Sequence, residues 1–407
     1  MDNSSFSLSP RIRNITSKIS SSLKNFSLHN DLKGSMEENF GTIYIYIICI
    51  ILVLIPVTYY LIASTSQQSS NCKYSNEYLG SLNTNISPVP ATFNFPLRDY
   101  YIKSAYNCCC SGNYKNDFVD LCILTNIIKQ GVRWLDVEVY SINDAPVIAA
   151  STTDSYYEKQ MYNSIAFNDF LNTINSNAFN SEYCPNYTDP LFIHIRFKTS
   201  NPKMYDNLTN IVANSPASSY YLPDQYNYNY QVVNGSTTDP SFVYHRFLGE
   251  VPLNELNKKI IFVVSVTNSY FMNTPFYEYV NMTTDSNFCN LLSEANVQFH
   301  QDIDDLIIWN MKKMTFLYPN ITANPKNPNC QAAREFGIQC CGMVYSKDST
   351  YLLNNESFFD SAGYAFVLKP LNLRYVPVVY ESPTPLPASN SFAARSVSFP
   401  LGVSGEI

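Results

Sequence analysis

The chain has 407 residues, with 33 acidic and 26 basic side chains, a formal charge of -7 and a sequence pI of about 5.2. That balance excludes a general nucleic-acid binder, whose phosphate contacts need clustered Lys and Arg. With 45% hydrophobic residues and 14% charged ones, against roughly 25% charged in an average soluble protein, the chain can bury a large core and is not disordered throughout.

Residues 1–41 are rich in Ser and Asn with weak periodicity, and a mostly disordered tail is expected there. Thr42 to Ala63 (TIYIYIICIILVLIPVTYYLIA) carries no charge over 22 residues, long enough to cross a hydrocarbon layer of roughly 30 Å, so a transmembrane helix is predicted over 42–64. Tyr44, Tyr46, Tyr59 and Tyr60 stand near its ends, where interfacial aromatics are favoured. A cleavable signal peptide would have a shorter apolar region nearer the N-terminus, so the helix reads as a signal-anchor. Arg11, Arg13, Lys18, Lys24 and Lys33 precede it, whereas the next 35 residues offer Lys73 and Arg98. The positive-inside rule therefore places the N-terminus in the cytosol, and the bulk of the protein lumenal, extracellular or on a virion membrane.

Residues 65–95 are polar and contain Pro, as in a stalk; 96–380 leaves a folded domain of the size of a (β/α)8 barrel; 381–407 is a Pro- and Ser-rich surface tail. Ten of the 11 cysteines follow the helix, and on a non-cytosolic side they are expected in disulfides. No CxxC pair is present to suggest zinc. Seven N-x-S/T sequons also follow the helix, at Asn85, Asn186, Asn207, Asn234, Asn281, Asn320 and Asn355, and permit glycosylation.

Within the domain, helical spacing over Asp117–Gln130 precedes a strand at Arg133–Tyr140. Helical patterns at Phe167–Phe179 and Met204–Ala213 flank a strand at Leu191–Phe197, and further strands follow at Ile260–Val266, Cys341–Tyr345 and Tyr364–Leu368. Strands alternating with helices imply parallel βα units, and hence an α/β domain. In the first strand Asp136 and Glu138 share one face, and two converging carboxylates call for a metal ion, a protonated partner or an Arg nearby.

The run Gly131-Val132-Arg133-Trp134-Leu135-Asp136-Val137-Glu138-Val139-Tyr140, then Pro146-Val147-Ile148, resembles the X region of phosphoinositide-specific phospholipase C. Asp189–Arg196, Leu253–Val264, Gly337–Gln339 and Gly363–Pro370 resemble later segments of that family, in the same order. The resemblance spans roughly residues 100 to 375 and implies a (β/α)8 TIM barrel of the phospholipase C-like phosphodiesterase type. Its membrane-anchored form is similar to versions encoded by large DNA viruses of algae and protists. The family uses two histidines as general base and acid, often with calcium. At the matching positions this chain has Tyr106, followed by Asn107, and Ala150. The family's third calcium acid falls on Arg196, whose guanidinium could neutralise Asp136 and Glu138 without a metal. Calcium at Asp136 and Glu138 is therefore disfavoured, and no cofactor is expected.

Acid and base groups each contribute typically 10²- to 10⁴-fold, so losing both implies a pseudoenzyme. The resemblance implies a pocket of Asn107, Arg133, Asp136, Glu138 and Arg196, used to bind a phosphoinositide or inositol-phosphate-like headgroup, a glycan or a host surface protein. The alternative is an active phosphoric diester hydrolase, cleaving phosphoinositide or glycosylphosphatidylinositol lipids with His194 as base and Tyr106 as acid. A purely structural membrane role predicts a large apolar contact face instead.

Overall fold

The computed structural model describes residues 40–153, 158–228, 247–347, 349–376, 396–398 and 404–406. The tail expected at 1–41 lies almost wholly outside these residues, as do His29, His245, the Asn234 sequon and most of 381–407. The chain divides into two units, Met1–Tyr74 and Ser75–Ile407.

In the first unit lies most of one long helix, α1 (Phe40–Leu79), with Pro56 inside it. It is long and apolar enough to cross a membrane, and its large apolar side chains from Tyr44 to Ile62 are exposed. The helix continues to Leu79, so the first part of the expected stalk is helical.

The second unit starts at Ser75, well before residue 96, because the segment expected as a stalk buries Leu79, Ile86 and Val89 in the core of this unit. Eight parallel strands form a nearly closed barrel: β1 (Tyr100–Ala105), β2 (Trp134–Ile142), β5 (Leu191–Phe197), β6 (Ile260–Ser265), β7 (Val280–Thr284), β8 (Cys289–Ser293), β9 (Met314–Tyr318) and β10 (Cys340–Met343). Neighbours pair from β7 through β6, β5, β2, β1, β10 and β9 to β8, and the β7/β8 seam is unpaired. β5 (LFIHIRF) is buried at every position, as expected of a strand covered on both faces. β3 (Ala145–Ala149) turns back antiparallel from β2 and pairs β4 (Ile165–Ala166), while β11 (Phe366–Leu368) runs antiparallel to β1.

The helices have legible ends. Asp120 caps α2 (Leu121–Lys129) by accepting from Cys122 N, and Asn201 with Pro202 starts α4 (Pro202–Ala213). α3 (Phe167–Asn177) fills the gap before β5. The βα alternation lapses later: only 3-10 turns join β6 to β7, and the short Asp285–Phe288 link joins β7 to β8. α5 (Glu294–Gln298), α6 (Ile303–Lys312), α7 (Cys330–Glu335) and α8 (Thr350–Ala362) complete the outer layer, the last ended by Gly363 at φ 80°. Inside the barrel Trp134 lies between Phe192 and Phe316, with ring centroids at 5.1 and 5.4 Å and planes 15° apart. The barrel is thus a packed core rather than a pore.

The cysteines are oxidised less fully than expected. Cys330 and Cys341 form one disulfide, and Cys72 and Cys122 are also disulfide-bonded. Cys108, Cys109, Cys110, Cys184, Cys289 and Cys340 are buried thiols. Cys289 and Cys340 lie on β8 and β10 as small apolar side chains, and burial pushes both thiols up, away from the reactive thiolate.

Candidate functional site at the strand ends

Side chains of one parity on β2 and β5 point into the barrel, and the register Asp136↔His194 and Glu138↔Arg196 brings them side by side. The Arg196 guanidinium is the centre of the cluster. Its Nε donates to Asp136 Oδ1 at 2.9 Å, Nη2 to Asp136 Oδ2 and Asn107 Oδ1 at 2.8 Å each, and Nη1 to Glu138 Oε1 at 2.8 Å. Asn107 is held left-handed at φ 46°, a conformation Asn tolerates, and from there its backbone N–H donates to Asp136 Oδ2 at 3.0 Å. Glu138 Oε2 accepts from Tyr140 OH at 2.5 Å and from Ser151 N at 3.0 Å.

Every carboxylate oxygen of the pair is therefore taken by a protein donor. Burial favours protonation of Asp136, but Arg196 and His194 outweigh it and hold the carboxyl well below the usual range. Burial works against the charge on Arg196, yet Asp136, Tyr106 and Glu138 together raise its pKa further. A calcium ion does not fit this arrangement. It needs six to eight oxygen ligands, and here a guanidinium occupies the acid pair.

Tyr106 follows β1, and its ring lies under Arg196, whose Cζ is 4.4 Å from the centroid. Tyr318 stacks on it at 5.8 Å and 17°. Gly342 makes room for this stack: a Cβ there would meet Phe316 Cζ at 2.9 Å and Tyr106 Cβ at 3.1 Å. Above the stack is a cavity of about 190 Å³, lined by Tyr106, Arg196, Lys198, Thr267, Asp285 and Tyr318 among others.

His194 is buried next to this cavity without lining it. Its Nδ1 is 2.7 Å from Asp136 Oδ1 and its Nε2 2.8 Å from Thr284 Oγ1, with Phe316 at 4.9 Å between ring centroids. Burial lowers its pKa despite Asp136, so the ring is neutral at pH 7. Both nitrogens of His194 are engaged by protein partners, and of the pair only Tyr106 lines the cavity. Ala150 is buried beyond β3. Its neighbour Ser151 supplies the N–H to Glu138.

Arg133 corrects the expected pocket. It is fully buried before the start of β2, at the opposite end from the cavity, and donates to Ala178 O at 3.0 Å, to Cys184 Sγ at 3.1 Å and to Asn186 O. Its parity is opposite to that of Asp136 and Glu138, so it points out of the barrel. The sequence reading also missed Tyr318, Asp285, Thr267 and Thr284. They lie on or after strands without a strong apolar pattern, or in loops where only register places them.

Residues 93–226 match the family model described as "Phosphatidylinositol-specific phospholipase C, X domain". No curated protein matches the chain. Among solved structures it is similar to PLC21 from S. officinalis, at 15% identity and TM-score 0.54, covering 71% of this chain and 39% of that one. It is similar also to PLC21 from L. pealei, at 15% identity and TM-score 0.53, covering 70% and 38%. The chain thus spans under half the length of these relatives. Barrel topology, matched segment and structural likeness agree, and the domain has the fold of the phospholipase C-like phosphodiesterase superfamily.

Proposed function

We propose that this chain is a membrane-anchored, non-catalytic phospholipase C-like barrel, held by α1 with its barrel on the non-cytosolic side, whose strand-end pocket binds an inositol-phosphate-like headgroup or a related polyhydroxylated ligand. The observation that carries the reading is Arg196 lying on both Asp136 and Glu138, where a calcium-dependent relative would need open carboxylates. Tyr106 and Ala150, at the positions that match the family's histidines, have no imidazole to move a proton.

Binding is supported by the cavity above Tyr106 and Tyr318, with hydroxyl, amide and charged groups around an aromatic floor. Asn107 Nδ2, buried beside Arg196, has no hydrogen-bond partner among the described residues. A virion or cell surface, and a host glycan or protein as the natural ligand, fit the same placement.

The test uses the full chain in detergent–lipid micelles with radiolabelled phosphatidylinositol, with and without calcium. No release of inositol phosphate is expected, while labelled inositol phosphate should bind and be lost in Thr267→Trp, which fills the cavity. Calcium-dependent release would overturn the reading.

A further inference from the structure

The seven sequons after α1 are not equivalent once folded. Asn186, Asn281 and Asn355 are buried to 2% exposure or less, and each side chain is held by at least one hydrogen bond, although Asn355 Nδ2 has no partner among the described residues. Asn186 Nδ2 donates to Gly131 O and Asp189 Oδ2, Asn281 Oδ1 accepts from Phe262 N, and Asn355 Oδ1 accepts from Arg334. A glycan at any of them would have to be packed inside the domain, so such a chain could not close its barrel.

Asn85, Asn207 and Asn320 are exposed. Asn207 lies within α4 and its Nδ2 donates to Asp144 O at 2.8 Å, while Asn85 Nδ2 reaches Asp360 Oδ2 at 3.4 Å. Asn320 differs from both. It lies in the irregular segment after β9, with Thr322 also exposed. Its Oδ1 accepts from Ala295 N at 3.0 Å, and its Nδ2 has no partner among the described contacts.

We propose that Asn320 carries an N-linked glycan at the rim of the strand-end pocket, and that Asn186, Asn281 and Asn355 carry none. The assignment rests on the non-cytosolic placement proposed above. In the transfer Asn320 Nδ2 bonds to the anomeric carbon of a lipid-pyrophosphate-linked oligosaccharide. The bond from that carbon to the pyrophosphate oxygen breaks, the lipid pyrophosphate leaves with the electron pair, and the amide gives up one proton to the transferase. Tyr318, two residues earlier, lines the cavity, so the glycan stands at its mouth.

The experiment is glycopeptide mapping of the full chain made in a eukaryotic secretory cell, with peptide N-glycosidase F digestion in heavy-oxygen water. Labelled Asp is expected at 320, and the glycan should be lost from both Asn320→Gln and Thr322→Ala, the second keeping the asparagine and its bond to Ala295. An unmodified Asn320 beside modified Asn85 or Asn207, or a glycan on Asn186, Asn281 or Asn355 in folded protein, would overturn the assignment alone. Glycans at Asn3, Asn14 or Asn25, the sequons before α1, would overturn the topology and the assignment with it.

Discussion

Arg196 grips Asp136 through two near-parallel hydrogen bonds, 2.9 Å from Nε to Oδ1 and 2.8 Å from Nη2 to Oδ2. The fork-to-fork geometry is among the strong forms of ion pairing available to side chains, and here Asp136 is fully buried while Arg196 keeps only its edge on the cavity. The same guanidinium reaches Glu138 and rests on Tyr106. One residue thus supplies the counter-charge that a metal would otherwise bring, and the aromatic stack holds it in place.

Removing that counter-charge should be costly. Arg196→Ala leaves Asp136 and Glu138 buried without a cation, and the expected loss is about 3–5 kcal/mol, the usual penalty for breaking a buried pair on one side. Millimolar calcium should recover part of the melting temperature in the variant and leave the parent protein unchanged. Thermal unfolding with and without calcium checks both. A variant that melts within a degree or two of the parent would show that Arg196 is not the stabilising counter-ion.

Gly342→Ala tests the stack from its other side. The new methyl would press on Phe316 and on Tyr106 Cβ, both well-packed neighbours with little room to retreat. Overpacking of this kind costs about 1–3 kcal/mol. Because Tyr106 forms a wall of the cavity, binding of labelled inositol phosphate should also weaken, whereas Ala substitution at the other end of the barrel should leave it unaltered.

Much of the barrel was legible because β2 and β5 carry strong apolar patterns, with their charged residues at regular alternate positions. Asp136 and Glu138 on one face, and Arg196 on the next strand, followed from period-two geometry and the family resemblance together. Strands β7 to β9 were not legible: β7 carries Asn281 and three Thr or Met side chains, and β8 and β9 mix Asn, Thr and Tyr among apolar residues. Their burial comes from neighbours distant in sequence. Arg133 was misplaced although its parity already pointed outward. His194 has the inward parity, yet its two partners, Asp136 on β2 and Thr284 on β7, are brought to its nitrogens by strand packing that its own sequence neighbourhood does not encode. The thiols were misread because compartment alone does not determine pairing, which also requires two cysteines facing each other.

Acid should act on this cluster in two stages. The folded His194 has a pKa below its ordinary value of about 6.5, so between the two values the unfolded chain binds more protons, and stability is lost as pH falls through that window. Asp136 is also depressed, so its contribution is present above about 3.9 and is lost only at lower pH. His194→Gln, which can still hydrogen-bond Asp136, should flatten the first stage and leave the second. Chemical denaturation at pH 7, 5 and 3 reads the two slopes. An unchanged slope between pH 7 and 5 would place the proton uptake elsewhere.

Arg133 makes the complementary prediction, since it is as buried as Arg196 but serves the other end of the barrel. Its guanidinium satisfies the carbonyls of Ala178 and Asn186 and lowers the pKa of Asp189, which burial pushes up to about 6. Arg133→Met keeps most of the volume and removes those donors, at about 1.5–3 kcal/mol for each hydrogen bond from a charged group. Without the guanidinium the Asp189 pKa rises further. The ionised carboxylate is then less well tolerated in the variant than in the parent, and the stability difference grows as pH rises above about 6. Ligand binding at the strand-end cavity should be unchanged at temperatures where the variant is folded. A stability deficit that shrinks with rising pH, or a parallel loss of binding, would contradict the assignment of Arg133 to the structural end of the fold.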